Sequence, residues 1–404
     1  MKIKELTLKN IGPFRDVWME FPTERDKKGK LPVTIITGEN GTGKTIILDA
    51  IRGILKGFQV VERDITSNQN FLIKAILEDK SKLIEIESSK IDIHGGGFDT
   101  NNFKFNKHFI EDTTKAGVVD WIITYWTSKI SADSYNLKNL ISPEPEKFLL
   151  DSLSGVQKNV EITALICYFD YLKTSDDPSE KELGLVLFDA LKRIIKKSLL
   201  NGEFEYVARK SLDPIIIQNG QELTLEKLSS GNLFLIQRLV SLLGKMYSVF
   251  VLNNKDLSEL FNTSGILLID EAENHLHPKW QKTFIDTIQD FFPNLQIILT
   301  THSPFIVASV KNPKIFVSKP RDGYSEIVDE TDEYSNIPID EILLTPVFET
   351  QPFNADISKL LKDRKEAISS NDETKRKEVE SQLLKINPEY FSFIEIEEKL
   401  KSLH

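Results

Sequence analysis

A glycine-rich stretch near the N-terminus has the residue types that hold phosphate groups. The stretch reads GENGTGKT, follows a predicted apolar strand and opens a predicted helix. Its backbone N–H groups would surround phosphate oxygens at the amino end of that helix. Lys44 would reach the β- and γ-phosphates, and the hydroxyl of Thr45 would bind Mg²⁺. The pattern predicts a P-loop for ATP and Mg²⁺ formed by Gly38, Asn40, Gly41, Thr42, Gly43, Lys44 and Thr45.

Two carboxylates follow a second apolar run, ILLID, far along the chain. Asp270 at the end of this strand is placed to join the Mg²⁺ shell, as the acidic residue of a Walker B motif does. Glu271 is then placed to orient or deprotonate the attacking water. An acidic pair that only caps a helix is the alternative, but it leaves the four preceding apolar residues unexplained.

Histidines occur in two further places in this half of the chain. His302, in LTTHSP, ends the next apolar strand, where an imidazole could contact the γ-phosphate and respond to its loss. A purely structural role is the alternative reading for it. His275 and His277 could form a metal pair, but without cysteine partners or a third nearby ligand a zinc site is disfavoured.

A second polar turn, LSSGN, stands between apolar residues well downstream of the P-loop. Serine hydroxyls and a glycine N–H at the start of a helix form an anion-binding turn. The sequence therefore adds Ser229, Ser230 and Gly231 to the candidate phosphate-binding residues. One P-loop already supplies a complete cradle, so this turn needs another explanation.

The elements that would position these residues indicate an α/β fold. Three strands are predicted in the first 45 residues, and apolar strands alternate with helices from LSSGN to LTTHSP. Such alternation is typical of a parallel sheet covered on both faces. We divide the chain into an N-terminal part of an ATPase head (1–135), a helical insertion (136–227), a C-terminal part of the head (228–350) and a helical tail (351–404).

Composition limits the classes of protein that fit. The chain has 404 residues, 40% of them hydrophobic, and a formal net charge of -10. This charge disfavours binding to nucleic acid or anionic membranes except at a local basic patch. A single cysteine, no signal-peptide pattern and no uninterrupted apolar run of about 18 residues predict a globular cytoplasmic protein.

The four motifs in this order resemble the ABC-type ATPases of the SMC and OLD-like group. The resemblance implies an ABC-ATPase head with N-terminal antiparallel strands, a mixed or parallel core sheet and a helical lobe. It also implies a head-to-tail homodimer, in which the signature turn of one subunit covers the ATP of the other. The usual signature is L-S-G-G-Q, and the departures at Ser230 and Asn232 could slow hydrolysis. No Q-loop glutamine is evident, since the context of Gln157 fits poorly.

Within this group, the chain most resembles the stand-alone ATPases of bacterial antiphage systems. It shows no heptad repeats for a long coiled coil, and about 100 residues after His302 are few for an appended nuclease domain. IDEAENHLHP and the helical tail are similar to the Septu ATPase PtuA and its retron relatives, and secondly to the ATPase of PARIS. The resemblance implies a regulator or scaffold for a separate effector, an HNH nuclease or a toprim nuclease respectively.

Two other functions remain as alternatives. A RecF-like repair ATPase would bind DNA through a basic groove, for which LKRIIKKSLLNGEFEY and the lysines near HGGG are candidates, although solvated faces explain both. The second alternative is a scaffold protein that binds ATP and hydrolyses it only slowly. If the chain is an antiphage ATPase with a separate effector, the surfaces predicted to dock that effector are residues of about 140–225 and the apolar stripes of the tail.

Overall fold

The computed structural model describes residues 1–27, 29–56, 65–66, 70–91, 97–111, 113–155, 158–199, 201–345, 347–348, 353–370, 372–394 and 396. Its strands are β1 (Lys2–Ile11), β2 (Phe14–Glu20), β3 (Val33–Gly38), β4 (Leu72–Asp79), β5 (Lys82–Ile91), β6 (Phe98–Thr100), β7 (Trp121–Trp126), β8 (Gly202–Ala208), β9 (Asp213–Gln218), β10 (Gln221–Thr224), β11 (Ser264–Ile269), β12 (Leu295–Thr300), β13 (Lys314–Arg321) and β14 (Tyr324–Asp329). Its helices are α1 (Lys44–Lys56), α2 (Phe103–Ile110), α3 (Thr113–Ala116), α4 (Pro145–Leu150), α5 (Asn159–Leu172), α6 (Pro178–Ser198), α7 (Ser230–Leu252), α8 (Pro278–Gln281), α9 (Phe284–Phe291), α10 (Pro304–Ser309), α11 (Thr331–Tyr334), α12 (Ile339–Leu343), α13 (Ala355–Ser369) and α14 (Glu373–Ile386).

One large mixed sheet organises the head. In the described residues its eleven strands have the order β6-β5-β4-β1-β2-β14-β13-β3-β12-β11-β7. Pairing among β6, β5, β4, β1 and β2 is antiparallel, and pairing from β13 through β3, β12 and β11 to β7 is parallel. Every residue of β3, β7 and β12 is buried, as expected for a parallel sheet covered on both faces. The predicted α/β class, with antiparallel N-terminal strands and a parallel core, is confirmed.

The parallel core places the predicted site at one edge of the sheet. The P-loop follows β3, Asp270 follows β11, and His302 comes two residues after the end of β12. Because β12 lies between β3 and β11 and all three run in the same direction, their carboxyl ends meet. Ligands bind at such ends in open α/β sheets.

The insertion between the two halves of the head is a mixed lobe. Helices α4, α5 and α6 precede a separate antiparallel sheet of order β10-β9-β8, so the region predicted to be helical also contains strands. The longest helices in the described part of the chain are α7, with 23 residues, and α6, with 21. Both pack within the lobe, and neither extends as a long coiled coil.

Helix α7 is the central helix of the lobe. Among the described helices, it alone is long and apolar enough to cross a membrane by length and composition. However, 83% of its most apolar window is buried inside the protein, which is the packing of a core helix.

The C-terminal helices form a second compact unit. The chain divides into Met1–Ile339 and Asp340–His404, so the second unit begins before the predicted tail boundary at residue 351. In this unit α13 and α14 enclose a small core of Val379, Leu383, Phe391 and Ile394. Arg364 and Arg376 both donate hydrogen bonds to the buried Glu380 carboxylate, at 2.8 and 2.9 Å. The apolar stripes of these helices therefore largely pack within the unit.

Candidate active site

The P-loop has the backbone that its glycines allow. Gly38 has φ +140°, and a Cβ atom there would lie 2.2 Å from the carbonyl oxygen of Ser318. Gly43 has φ +96°, and its Cβ would collide with Pro13 and Phe14. Any other residue would be strained at both positions, so the loop is shaped by glycine. Asn40 and Gly41 are exposed at its tip, where a phosphate could be received.

Lys44 is the first residue of α1, and its side chain is largely buried. Its ammonium group donates hydrogen bonds to the carbonyl oxygens of Gly38 at 3.0 Å and Glu39 at 2.6 Å. Burial lowers the pKa of Lys44 to about 8, and the negative charges of Glu273 and Asp270 oppose this shift. A buried ammonium held by neutral carbonyls gains strongly when anionic phosphate oxygens approach it.

The Asp270 carboxylate joins the two halves of the site. The Thr45 hydroxyl donates to its Oδ1 at 2.9 Å across 225 residues of sequence. Thr300 donates to the same oxygen at 2.7 Å, and the Tyr125 hydroxyl lies 3.5 Å from Oδ2. Burial raises the pKa of the Tyr125 phenol, so this group stays neutral. Hydroxyl and carboxylate oxygens are the ligands that Mg²⁺ takes alongside phosphate and water, so Thr45 and Asp270 fit the predicted metal site.

Glu271 has an unusual backbone conformation beside this carboxylate. Its φ is +48°, in the left-handed region that non-glycine residues seldom occupy. Its N–H donates to the Thr300 hydroxyl at 2.8 Å, and the amide of Asn274 donates to its Oε2 at 2.6 Å. These two contacts hold the turn and aim the carboxylate. Strained residues of this kind cluster at functional sites.

Glu273 is a site residue that the sequence interpretation missed. Its carboxylate accepts hydrogen bonds from the Thr301 hydroxyl at 2.6 Å and the His302 backbone N–H at 2.7 Å. Burial raises its pKa, and among the carboxylates it has the largest electrostatic effect on Lys44. Glu273 thus holds the loop that carries His302. Its position in DEAEN, two residues after Glu271, was the only available signal.

His302 is half-buried close to the charged groups of the P-loop and the Walker B motif. Burial lowers its pKa, the positive charge of Lys44 lowers it further, and Glu271 raises it. The imidazole is therefore predominantly neutral at physiological pH, able to donate or accept one hydrogen bond.

The LSSGN turn is built as the start of α7. Ser229 caps the helix, accepting a hydrogen bond from the Asn232 N–H at 3.4 Å. Ser229 and Ser230 are exposed, whereas Gly231 is buried against the His275 carbonyl oxygen, 2.5 Å from where its Cβ would be. In the described part of the chain, no hydrogen bond joins this turn to the P-loop of the same molecule. The exposed hydroxyls can therefore meet a ligand presented from outside the subunit.

The remaining histidines have structural contacts. The Nε2 of His275 lies 2.9 Å from the Ser128 carbonyl oxygen, and the Nδ1 of His277 accepts from the Lys279 N–H at 3.2 Å at the start of α8. Gln157 lies outside the described residues, so the position of the Q-loop stays open.

The family of the chain follows from a comparison with known sequences. A family model described as "AAA domain, putative AbiEii toxin, Type IV TA system" matches residues 33–308. This range starts with β3 and includes the P-loop, the LSSGN turn, the Walker B carboxylates and His302. The chain belongs to this family. It is an ATPase, as predicted.

Two curated relatives have names that agree with the predicted resemblance. The chain is 36% identical over 120 residues to the retron Vc95 probable ATPase of Vibrio cholerae serotype O1 biovar El Tor, covering 30% of this chain and 23% of that protein. It is 27% identical over 316 residues to the Septu protein PtuA of Bacillus thuringiensis, covering 76% of this chain and 72% of that protein. The predicted similarity to Septu and retron ATPases is confirmed, although the first match spans under a quarter of that relative.

A solved structure confirms the fold. The Smc head domain with an extended coiled coil, derived from Pyrococcus furiosus and bound to the C-terminal domain of ScpA, superposes with a TM-score of 0.50. The match covers 81% of this chain and 96% of that one at 15% sequence identity. The predicted ABC-ATPase head is thus the fold of this chain.

Proposed function

We propose that this chain binds and hydrolyses ATP with Mg²⁺ as a head-to-tail dimer in the cytoplasm, and that it regulates or scaffolds a separate effector in bacterial antiphage defence. The contact between Thr45 and Asp270, at 2.9 Å, carries the first part of the proposal. It brings the P-loop hydroxyl and the Walker B carboxylate to one point at the carboxyl edge of the parallel sheet.

In this site the P-loop residues bind and orient the nucleotide. The N–H groups at the start of α1 lack partners within the helix and would donate hydrogen bonds to phosphate oxygens. The Lys44 ammonium group would leave the carbonyl oxygens of Gly38 and Glu39 and bind the β- and γ-phosphates. Thr45 and Asp270 would hold Mg²⁺, which when bound neutralises charge on the β- and γ-phosphate oxygens. His302 would donate to the γ-phosphate, so its loop would respond when that phosphate leaves.

Water activation is assigned to Glu271 because the two neighbouring carboxylates have other roles. Asp270 is held by hydroxyl groups at the metal site, and Glu273 is fully engaged with the His302 loop. Glu271 has one carboxylate oxygen hydrogen-bonded to Asn274, and its negative charge acts on both Lys44 and His302. It would orient the attacking water and accept its proton.

Two substitutions test this assignment. Lys44→Ala should abolish ATP binding, because the phosphates lose their cation, whereas Glu271→Gln should preserve binding and stop turnover. Binding is measured with a fluorescent ATP analogue, and turnover by phosphate release. Equal loss of binding in both variants would refute the assignment.

The proposed dimer rests on the exposed hydroxyls of Ser229 and Ser230. They lie at the amino end of a long helix, whose dipole favours an anion there. In the proposed arrangement they would contact the γ-phosphate bound by the partner subunit. Sedimentation of Glu271→Gln protein with ATP should show a dimer, and a monomer under these conditions would contradict the arrangement.

The proposed partner is a separate nuclease or toxin. Support comes from the similarity to proteins named Septu PtuA and retron ATPase, and from apolar side chains exposed on the C-terminal unit, such as Tyr390 at 58% and Ile396 at 56%. The purified chain should therefore hydrolyse or bind ATP without cutting DNA or RNA in Mg²⁺ or Mn²⁺. Cutting that is lost with Glu271→Gln would make this chain itself the effector.

Direct DNA binding, as in a RecF-like repair ATPase, is the alternative. One observation favours it: Lys192, Arg193, Lys196 and Lys197 are all exposed at the end of α6. The other basic stretch lies partly outside the described residues. Salt-dependent DNA binding that is lost when these four residues are changed to serine would support this alternative.

A further inference from the structure

A cavity in the lobe, apart from the predicted phosphate-binding residues, contains two buried cations. The cavity has a volume of about 250 Å³ and lies between α4, α5, α7 and the end of β7. Arg238 and Lys245 line it and are 3% and 5% exposed. Buried cations normally have a carboxylate partner, because an unpaired charge is costly away from water. Neither residue forms an ion pair within the described residues.

The acidic residues that line the cavity are paired with other cations. Glu144 pairs with Lys147 at 2.6 Å, and Glu161 lies 3.9 Å from Lys158. Asp151 is the third acid of the lining, and its carboxylate lies 3.8 Å from the Lys56 ammonium group. The charges at the mouth of the cavity therefore balance one another. The positive charges of Arg238 and Lys245, which form the floor of the cavity, are not balanced in this way.

Among the described residues, Arg238 donates hydrogen bonds only through the two Nη atoms of its guanidinium group. Its Nη atoms donate to the carbonyl oxygens of Gly155, Thr127 and Lys129 at distances between 2.7 and 3.1 Å. Its Nε–H is buried and has no hydrogen-bond partner among the described residues. These neutral carbonyls fix the guanidinium in place without cancelling its charge.

Lys245 lies on the same face of α7, seven residues after Arg238. One of its three donors bonds to the Ser241 hydroxyl at 2.9 Å, and its ammonium group lies 5.2 Å from the centre of the Phe148 ring. Burial lowers the pKa of Lys245 to about 8, and the charge of Arg238 lowers it further, against smaller opposite effects of Glu161 and Asp151. The positive side chains of Arg238 and Lys245 thus lie on one buried face of α7, with no ion-pair partner among the described residues.

We propose that this cavity binds a compact organic anion, with its carboxylate or phosphate between Arg238 and Lys245 and its apolar part against Phe148, Trp126 and Leu165. The volume is slightly below the usual range for drug-sized ligands, so the ligand is small. Exposed Ser142, Lys147 and Lys158 surround the mouth, and the cations lie at the floor, so the anionic end enters first. None of the P-loop residues, Gly38 to Thr45, lines this cavity.

Binding is tested by calorimetry and thermal unfolding of the full chain with benzoate, phenyl phosphate, inorganic phosphate and neutral benzamide. ADP and Mg²⁺ are kept saturating, so that no probe occupies the P-loop. Saturable binding of benzoate or phenyl phosphate is expected, with benzamide weaker by about tenfold or more. The two anions distinguish a carboxylate site from a phosphate site, and inorganic phosphate shows whether the apolar wall contributes. No saturable binding of any anion would overturn the proposal.

Lys245→Met keeps the length of the side chain and removes its charge. Affinity for the anion should fall about tenfold or more, while Tm without ligand should rise, because an uncompensated buried cation is gone. Lys147→Met, the same change at an exposed and paired lysine of the mouth, should keep the affinity within about threefold. ADP binding shows that each variant is folded. Equal anion affinity in Lys245→Met and wild-type protein would refute the role of this floor.

Discussion

Thr300 links Asp270, the proposed metal-binding carboxylate, to Glu271, the proposed water-activating residue. Its hydroxyl donates to Asp270 Oδ1 and accepts from the Glu271 N–H, so one oxygen sets the position of both residues. It lies at the last position of β12, the strand between the P-loop strand and the Walker B strand. Catalytic geometry must hold within a fraction of an ångström, so this contact should matter for turnover more than for binding.

We expect Thr300→Val to reduce kcat by about tenfold or more and to change ATP affinity little. The valine leaves the partly buried Glu271 N–H without its acceptor, which costs about 1–3 kcal/mol, and removes one of the hydroxyl groups that hold the Asp270 carboxylate. The measurement is steady-state ATP hydrolysis together with equilibrium nucleotide binding.

Thr34→Val is the matched control for this prediction. Thr34 is fully buried in β3, and its hydroxyl has no hydrogen-bond partner among the described residues. Removing an unsatisfied hydroxyl should leave activity unchanged and stability equal or higher. If both variants hydrolyse ATP equally, the Thr300 hydroxyl does not position the site.

At the scale of single residues, the sequence pointed to residues that belong to recognisable motifs. It missed residues whose hydrogen bonds connect neighbouring strands of the sheet. That Lys44, Thr45 and Asp270 meet at one site could be predicted, because each stands in a recognisable local pattern. Thr300 and Glu273 could not, because their partners depend on how β11 and β12 pair in the sheet. Pairing register is a tertiary property that local residue types do not encode.

At the scale of elements, the amino end of α7 combines a structural requirement with a proposed role in phosphate binding. The sequence placed the LSSGN turn at the start of a helix, and Ser229 caps α7. It did not reveal that Gly231 packs on the His275 carbonyl oxygen, because this contact joins α7 to the loop after β11. His275 itself has φ +63°, in the left-handed region that non-glycine residues seldom occupy.

We therefore expect that substitutions at Gly231 and Ser230 have different effects, the first on the stability of the fold and the second on ATP hydrolysis. Gly231→Ala should destabilise the fold by roughly 1–3 kcal/mol, because the new methyl group has no room. Ser230→Ala should leave Tm unchanged, since this hydroxyl is exposed, and should reduce hydrolysis. Thermal unfolding and phosphate release measure the two effects. Comparable Tm losses in both variants would mean that Ser230 is structural.

At the scale of the whole molecule, the proposed dimer predicts complementation between two inactive chains. Ser230→Asp introduces a carboxylate that should repel the γ-phosphate of the partner, and an acidic residue suits the first turn of a helix. It is a cleaner test than Gly231→Asp, which would also disturb packing within the subunit. Lys44→Ala removes ATP binding and keeps an intact signature turn.

An equal mixture of Ser230→Asp and Lys44→Ala chains should recover about a quarter of the wild-type rate, provided that one site can act alone. Half of the dimers are then mixed, and each mixed dimer has one complete site. Each variant alone should be inactive. Activity of Ser230→Asp alone would place this turn outside the catalytic site, and a mixture that stays inactive would indicate that both sites must act together.

The C-terminal unit leads to the last prediction. Its helices enclose their own core, which leaves Ile368 and Ile386 exposed at 42% and 50% as candidates for docking the proposed effector. Replacing both with serine should retain ATP hydrolysis and lose the proposed nuclease or toxin partner in a pull-down, because an interface loses its apolar contacts. Leu83→Ser, at a residue that is 63% exposed on β5, is the matched control and should retain the partner. Deletion of residues 340–404 extends the test to the whole unit, and a partner that still co-purifies with the shortened chain would place docking on the head or its lobe.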